Sequence, residues 1–410
     1  MAERSAAKGA DPGTARKEVK VVVPVREFRV PAAVIFGSGS ATKAGEECRG
    51  LGIKKALLVT DPTMVKLGLA GLIEKSLSES EVSCVIYDGV TAEPVVEFVE
   101  HGLGLFSERR CDGVVALGGG SALDAAKAIA LMTTNPGRIS DYKGLGKVGK
   151  RGAPLVAVPT TAGTGSEATV YTIITDSRTN VKMLIGSPFL MPDVAIVDPL
   201  LTLQCPPSVT AATGMDALVH AIEAYVSRKA HPLSDPFALR AIGLVSGSLR
   251  RAWTSGKDEE ARERVMLGAL EAGIAFSNAS VALVHGMSRP IGAHFHVAHG
   301  VSNACLLIPV MRFSLPAAPS RYADVAQAMG VPVEGLTDLE AAEAGVEAAA
   351  RLVRDIQIPA LHDLVKDKAG FGRAVVQMAK DAIASGSPGN NPRLASEEEI
   401  VALYQEVYAA

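Results

Sequence analysis

Apolar and polar positions fall into a regular rhythm from Val34 onward. Val34 to Phe36 is a short apolar run closed by Gly37-Ser38-Gly39-Ser40. Ala56 to Val59 reads as a buried strand ending at Thr60-Asp61-Pro62, and Val65 to Leu77 as a helix. Val82 to Tyr87 is another strand. Pro94 to Arg109 is a helix with proline near its start, where the missing N–H costs nothing. Val114 to Leu117 runs as a strand into Gly118-Gly119-Gly120-Ser121, followed by a helix over Ala122 to Met132. Leu155 to Val158 is a strand entering Pro159-Thr160-Thr161. Short, wholly apolar strands alternating with amphipathic helices predict a parallel sheet covered on both faces.

After Pro206-Pro207 the pattern changes to long helical stretches: Met215 to Val226, Pro236 to Trp253 and Glu259 to Phe276. The expected organisation is a flexible, polar N-terminal arm over 1–27, an α/β domain over 28–205, and an all-α domain over 206–410. No internal repeat is visible.

Composition narrows the partners. Hydrophobic residues make up 48% of 410 residues and charged ones 21%, enough for a large core and too apolar for a disordered chain. The net charge is −3 with no basic stripe, which argues against nucleic acid. No apolar run reaches the length of a membrane span, and no apolar h-region follows the N-terminal charges, so neither a membrane partner nor secretion is expected. Cys48, Cys84, Cys111, Cys205 and Cys305 are odd in number and widely spaced, fitting a reducing cytoplasm rather than a disulfide framework. Asn278-Ala279-Ser280 spells a glycosylation sequon, read as chance in such a compartment.

Two glycine-rich stretches compete for a nucleotide. Gly144 to Gly149 spells GxGxxG, but it follows no strand and Lys150 to Pro154 cannot open a helix, so it reads as a mobile loop. Its overlap with a P-loop fails at Arg151, where Ser or Thr is needed. Gly118 to Ser121 has the right context, between a strand and a helix, and its backbone can approach a pyrophosphate at the helix N-terminus. Pro159 to Glu167 is a second hydroxyl-rich loop after a strand that could complete the cleft. Asp61, at a strand's C-terminal end, suits ribose hydroxyls and equally suits a helix cap before Pro62.

Four of eight histidines fall in one window: His285, His294, His296 and His299. Upstream, Asp216 and His220 stand at i and i+4, on one face of a helix. A carboxylate with imidazoles suits a divalent first-row metal: iron(II), zinc or manganese. Against this, Thr213-x-x-Asp216 resembles a capping box, and His220 sits among apolar neighbours.

These motifs together resemble the iron-containing (group III) alcohol dehydrogenases. The resemblance rests on GGGSALDAAK at Gly118 to Lys127, PTTAGTGSE at Pro159 to Glu167, TGMDALVHAIEAY at Thr213 to Tyr225, and HGMSRPIGAHFHVAHGVSNA at His285 to Ala304. It implies a nucleotide-binding α/β domain, a helical domain, and a site in the cleft between them. It implies metal ligands at Asp216, His220, His285 and His299, and leaves out His294 and His296. It further implies a dinucleotide cleft at Gly119, Gly120, Ser121, Thr160, Thr161, Thr164, Thr169 and Lys182, with Asp61 on the adenine ribose favouring NAD(H) over NADP. Such proteins are often dimers or larger homo-oligomers. The chain departs from the family pattern at Arg289, where many members have His, at Glu93, where Asn is frequent, and at Ala298, where Pro is common.

The expected activity is interconversion of a small alcohol and its aldehyde or ketone, with a divalent metal, Fe2+ before Zn2+ or Mn2+, as Lewis acid. A maleylacetate reductase-like reductase and a dehydroquinate synthase-like lyase are the rivals on the same scaffold; a non-catalytic nucleotide-binding protein is the third. Arg289 has two readings. It grips an acid group, giving substrates such as 4-hydroxybutyrate or succinic semialdehyde, or it pairs with a carboxylate such as Glu223.

Overall fold

A computed structural model describes residues 25–179 and 181–410. The arm expected over 1–27 lies outside the described residues except for Val25 to Glu27. Among the described residues nine strands form two sheets. They are β1 (Ala33–Phe36), β2 (Lys55–Val59), β3 (Ser83–Tyr87), β4 (Gly113–Gly118), β5 (Gly144–Leu145), β6 (Leu155–Pro159), β7 (Tyr171–Asp176), β8 (Val181–Gly186) and β9 (Val194–Val197). The main sheet is six-stranded and parallel throughout, in the order β1-β9-β6-β4-β2-β3. Every residue of β4, β6 and β9 is buried, as an all-apolar central strand requires. Two cores lie on opposite faces of this sheet: Leu57, Val114 and Ile129 on one, Leu58, Val115 and Ile73 on the other.

The predicted strands are present within a residue or so at each end. One predicted helix is broken. Val65 to Leu77 resolves into Pro62–Lys66 and Leu69–Glu79, because Gly68 sits at φ +78°, a left-handed conformation that stops the first helix. The Gly144 stretch is no free loop at its start: Gly144 and Leu145 pair with Ile185 and Gly186 of β8. The strands β7 and β8, unforeseen from the apolar pattern, form an antiparallel pair. Buried and half-buried positions alternate along β7, a weaker signal than the continuous runs of the main sheet.

From Pro207 the chain is helical. The helices Pro207–Val226, Asp235–Thr254, Glu259–Ala279, Leu283–Phe295 and His299–Ser314 pack around one core that includes Leu218, Ile242, Met266, Met287 and Leu307. The stretch His299–Ala317 is, by length and composition, long and apolar enough to cross a membrane, which the apolar pattern had not indicated. It is 56% buried within the fold and packs on the Pro207–Val226 and Leu283–Phe295 helices, as a core helix does.

Candidate active site

The two halves meet at a cavity of about 390 Å³, the size of a small-molecule site. Gly120, Ser121, Thr164, Thr169 and Lys182 line it from the α/β side, and Asp216, His220, His285, Arg289 and His299 from the helical side. The Gly118–Ser121 loop and the hydroxyl-rich loop Pro159–Glu167 touch on the α/β side. Gly118 adopts φ +148°, which favours glycine, and a Cβ on Gly120 would lie 2.7 Å from Thr164 Cγ2. The helix Gly120–Met132 thus opens its N-terminus onto the cavity, where its free N–H groups favour an anion.

The other expected cofactor residues sit around this loop without reaching the cavity wall. Thr161 packs against Gly119 at 3.5 Å from a would-be Cβ, and Thr160 is buried with its Oγ1 unpartnered among the described residues. Asp61 does cap a helix: its Oδ1 accepts from Thr63 N at 2.8 Å and Met64 N at 3.1 Å. Its Oδ2 faces Gly118, 3.3 Å from a would-be Cβ, so the cap uses one oxygen and leaves the other toward the glycine loop. Lys182 is paired with Glu93 at 2.7 Å.

Asp216 and His220 point from one helix face into the cavity, and the helix begins at Pro207, so Thr213 lies inside it and caps nothing. Its hydroxyl bonds Val209 O instead. Asp216, His220 and His285 are all buried, and one ligand atom from each falls within 4.8 Å of the others. His299 stands beside the trio, its Nε2 3.8 Å from Asp216 Oδ1. His220 is stacked between Phe276, at a ring separation of 4.1 Å, and His285, at 4.3 Å. His294 and His296 are exposed, away from this cluster.

Burial alone would raise the Asp216 carboxyl, but the surrounding imidazoles outweigh it and hold it well below its usual range. Burial pushes His220 down to about 3 and His299 to about 4, so both are neutral near pH 7. The cluster fits a cation: an ionised Asp216 carboxylate, neutral imidazoles at His220 and His299, and a buried His220 Nδ1 with no protein partner among the described residues.

Several contributing residues escaped the motif reading. Glu223, one turn after His220, takes His285 Nδ1 at 2.7 Å and also receives the N–H groups of Ala282 and Val284. It therefore caps the helix that carries His285 and fixes the ring. Its i+3 spacing from His220 was the available signal. Asn303, four residues after His299, places its amide nitrogen 2.6 Å from Asp216 Oδ1 and 3.2 Å from both His285 Nε2 and His299 Nε2. Ser288 lies 3.2 Å from His299 Nδ1. With Glu223 so engaged, Arg289 forms no ion pair with it; Arg289 Nη1 donates to Ser387 Oγ at 2.9 Å.

Residues 31–199 match the iron-containing alcohol dehydrogenase family, and residues 210–408 match the Fe-containing alcohol dehydrogenase family, C-terminal. The chain belongs to the iron-containing alcohol dehydrogenase family. It is 40% identical over 385 residues to the 1,3-propanediol dehydrogenase of Citrobacter freundii, covering 93% of this chain and 98% of that one. It is 38% identical over 373 residues to the NAD-dependent methanol dehydrogenase of Bacillus methanolicus, covering 91% and 97%. The crystal structure of a 1,3-propanediol oxidoreductase superposes with a TM-score of 0.91 at 40% identity, covering 94% of this chain and all of that one. As a family member the chain is a metal-containing alcohol dehydrogenase, and the family implies NAD(H) as its partner in hydride transfer.

Proposed function

We propose that this alcohol dehydrogenase interconverts a small primary or secondary alcohol and its aldehyde or ketone, using NAD(H) and one divalent ion, Fe2+ before Zn2+ or Mn2+. The ion would be held by Asp216, His220, His285 and His299. The observation that carries the reading is the buried trio Asp216, His220 and His285 on the same cavity as Gly120 and Ser121. A bound divalent ion supplies Lewis acidity to the alcohol or carbonyl oxygen. The chain's own groups supply the rest. Glu223 keeps the His285 proton on Nδ1, so that Nε2 retains its lone pair toward the cluster. Phe276 stacks on His220 and fixes its plane. The N-terminus of the Gly120–Met132 helix, with Gly119, Gly120 and Ser121, would take the pyrophosphate. Thr160, Thr161, Thr164, Thr169 and Lys182 would flank the dinucleotide, and Asp61 Oδ2 the adenine ribose. Arg289 has no lone pair and cannot accept the alcohol proton.

In this reading the nucleotide unit covers 28–205 and the metal and substrate unit 206–410. An acid-bearing substrate, such as 4-hydroxybutyrate or succinic semialdehyde, is its finer form. A reducing cytoplasm is supported by five unpaired cysteines, and a homo-oligomer by the edge strands β1 and β3, each paired on one side only among the described residues. The test is metal analysis of purified protein, then NADH oxidation with neutral and acid-bearing aldehydes. Metal-loaded protein that turns over none of them overturns the proposal.

A further inference from the structure

One wall of the cavity is rich in hydrogen-bond donors. It is made by Ser280, Arg289, Ser387 and Asn390, with exposed Lys229 at its rim. Arg289 follows His285 by four residues in the helix Leu283–Phe295, so the two share a face. Ser387 and Asn390 belong to the Ser387–Asn390 turn, which packs on that helix through Pro388 against Gly286.

The hydrogen bonds leave specific atoms free. Ser387 Oγ accepts from Arg289 Nη1 at 2.9 Å, and Ser280 Oγ accepts from Asn390 Nδ2 at 3.0 Å. Each serine oxygen accepts from one protein donor and has its own proton uncommitted among the described residues. Ser280 is held at φ +67°, a left-handed backbone value that favours glycine, yet it carries a hydroxyl facing the cavity.

The charges point the same way. Lys182 is answered by Glu93 at 2.7 Å. Asp124 accepts Ser166 Oγ at 2.7 Å and Ile173 N at 2.8 Å, and Asp216 belongs to the ligand trio. No carboxylate on the wall is left for Arg289 or Lys229 among the described residues, and Glu223 is spent on His285 and two backbone N–H groups. Among the described residues this half-buried guanidinium is bonded only to a hydroxyl and lacks the acceptors that usually accompany it.

We propose that this wall is an anion subsite, and that the preferred substrate is a short aldehyde or alcohol whose far end carries a carboxylate or sulfonate. The acid group sits on Arg289, Ser280 and Ser387, with Lys229 screening it at the rim. The proposal rests on the reading that the reacting carbon lies at the Asp216–His220–His285 end. A guanidinium meets either oxyanion through two parallel N–H bonds. A neutral chain end would leave those donors unpaired, and such a site rejects it strongly.

The test compares metal-loaded enzyme and NADH with succinic semialdehyde, a sulfonated aldehyde of similar length, and butanal. The parent prefers an acidic aldehyde by kcat/KM, and whichever oxyanion is faster names the source. Arg289→Met lowers the acidic-to-neutral ratio at least tenfold, chiefly through KM; Arg289→Lys recovers part of it, and Ser387→Ala lowers it less. Calorimetry of 4-hydroxybutyrate binding to the NAD-loaded holoenzyme weakens in parallel. Equal losses on acidic and neutral aldehydes, with 4-hydroxybutyrate binding unaltered, overturn the subsite while leaving the alcohol dehydrogenase reading intact. A parent inactive on every aldehyde overturns that reading instead, and calorimetry still decides the subsite. Should Arg289→Met melt well below the parent, Lys229→Met and Ser387→Ala carry the same comparison.

Discussion

The Glu223 carboxylate lies 2.7 Å from His285 Nδ1 and, with the same oxygen, 2.8 Å from the backbone nitrogen of Ala282. One buried side chain thus caps a helix and orients a candidate ligand on it. Glu223→Gln keeps an acceptor for the backbone but removes the charge that holds the imidazole. Metal affinity should fall about 10–100-fold, measured by competition with a chelator. Glu223→Ala should also destabilise the metal-free protein by about 1–3 kcal/mol for each buried N–H left unpaired. Parent-like metal affinity in both variants would remove Glu223 from the site.

Metal uptake should release a proton. Burial alone would lower the His285 imidazole, but the Asp216 carboxylate 3.6 Å from its Nε2 and its hydrogen bond to Glu223 outweigh that and raise it above its ordinary 6.5. His220 and His299, pushed by burial to about 3 and about 4, have no proton to lose at neutral pH. Below the raised His285 value the proton competes with the metal, so apparent affinity falls as pH falls. In the metal-free protein the same shift gives stability that is present below pH 6.5 and lost as pH rises through the folded value. Titration calorimetry in two buffers of different ionisation enthalpy measures the proton count; uptake without release near pH 6 contradicts the assignment.

The sheet was legible because its central strands are continuous apolar runs, and β2, β4 and β6 each end on the segment that turns toward the cofactor side. Asp216 and His220 were legible because i,i+4 spacing is local. The pattern could not decide between the two uses of Asp61, since capping and ribose binding ask for the same carboxylate at the same strand end. Nor could it place Ser387 and Asn390, which reach the site about a hundred residues downstream of Arg289 and Ser280 with no local signature. The Arg289–Glu223 pairing failed for a physical reason: the carboxylate's acceptors were already claimed by His285 and a helix N-terminus.

Asp61 allows its two roles to be separated. Serine caps a helix about as well as aspartate, so Asp61→Ser should leave the melting temperature near the parent's. It carries no charge to repel a 2′-phosphate. The preference for NAD over NADP should therefore narrow by tenfold or more in kcat/KM, with most of the change in cofactor KM. A parent that uses both cofactors equally would leave Asp61 as a cap alone.

Lys127 is the buried cation that holds the strand-connecting segment over the cofactor cleft. It is 1% exposed, and its Nζ donates to Thr169 O at 3.0 Å, Thr169 Oγ1 at 2.8 Å and Tyr171 O at 2.9 Å. One turn earlier Asp124 takes the Ser166 hydroxyl and Ile173 N–H, so one helix fixes both ends of residues 166–173. Lys127→Met preserves the side-chain length and leaves those acceptors unpaired, which should cost about 1–3 kcal/mol and raise the KM for NADH. The pH dependence separates this from simple repacking. Burial drives Lys127 from its ordinary 10.5 down to about 8. Between those values the unfolded chain binds more protons than the folded one, so Lys127's contribution to stability rises with pH from about 8 toward 10.5. Chemical denaturation at pH 7 and pH 9.5 should show the gap between parent and Lys127→Met widening at the higher pH. A gap that stays constant would mean that Lys127 titrates alike in both states and that its burial carries no electrostatic penalty.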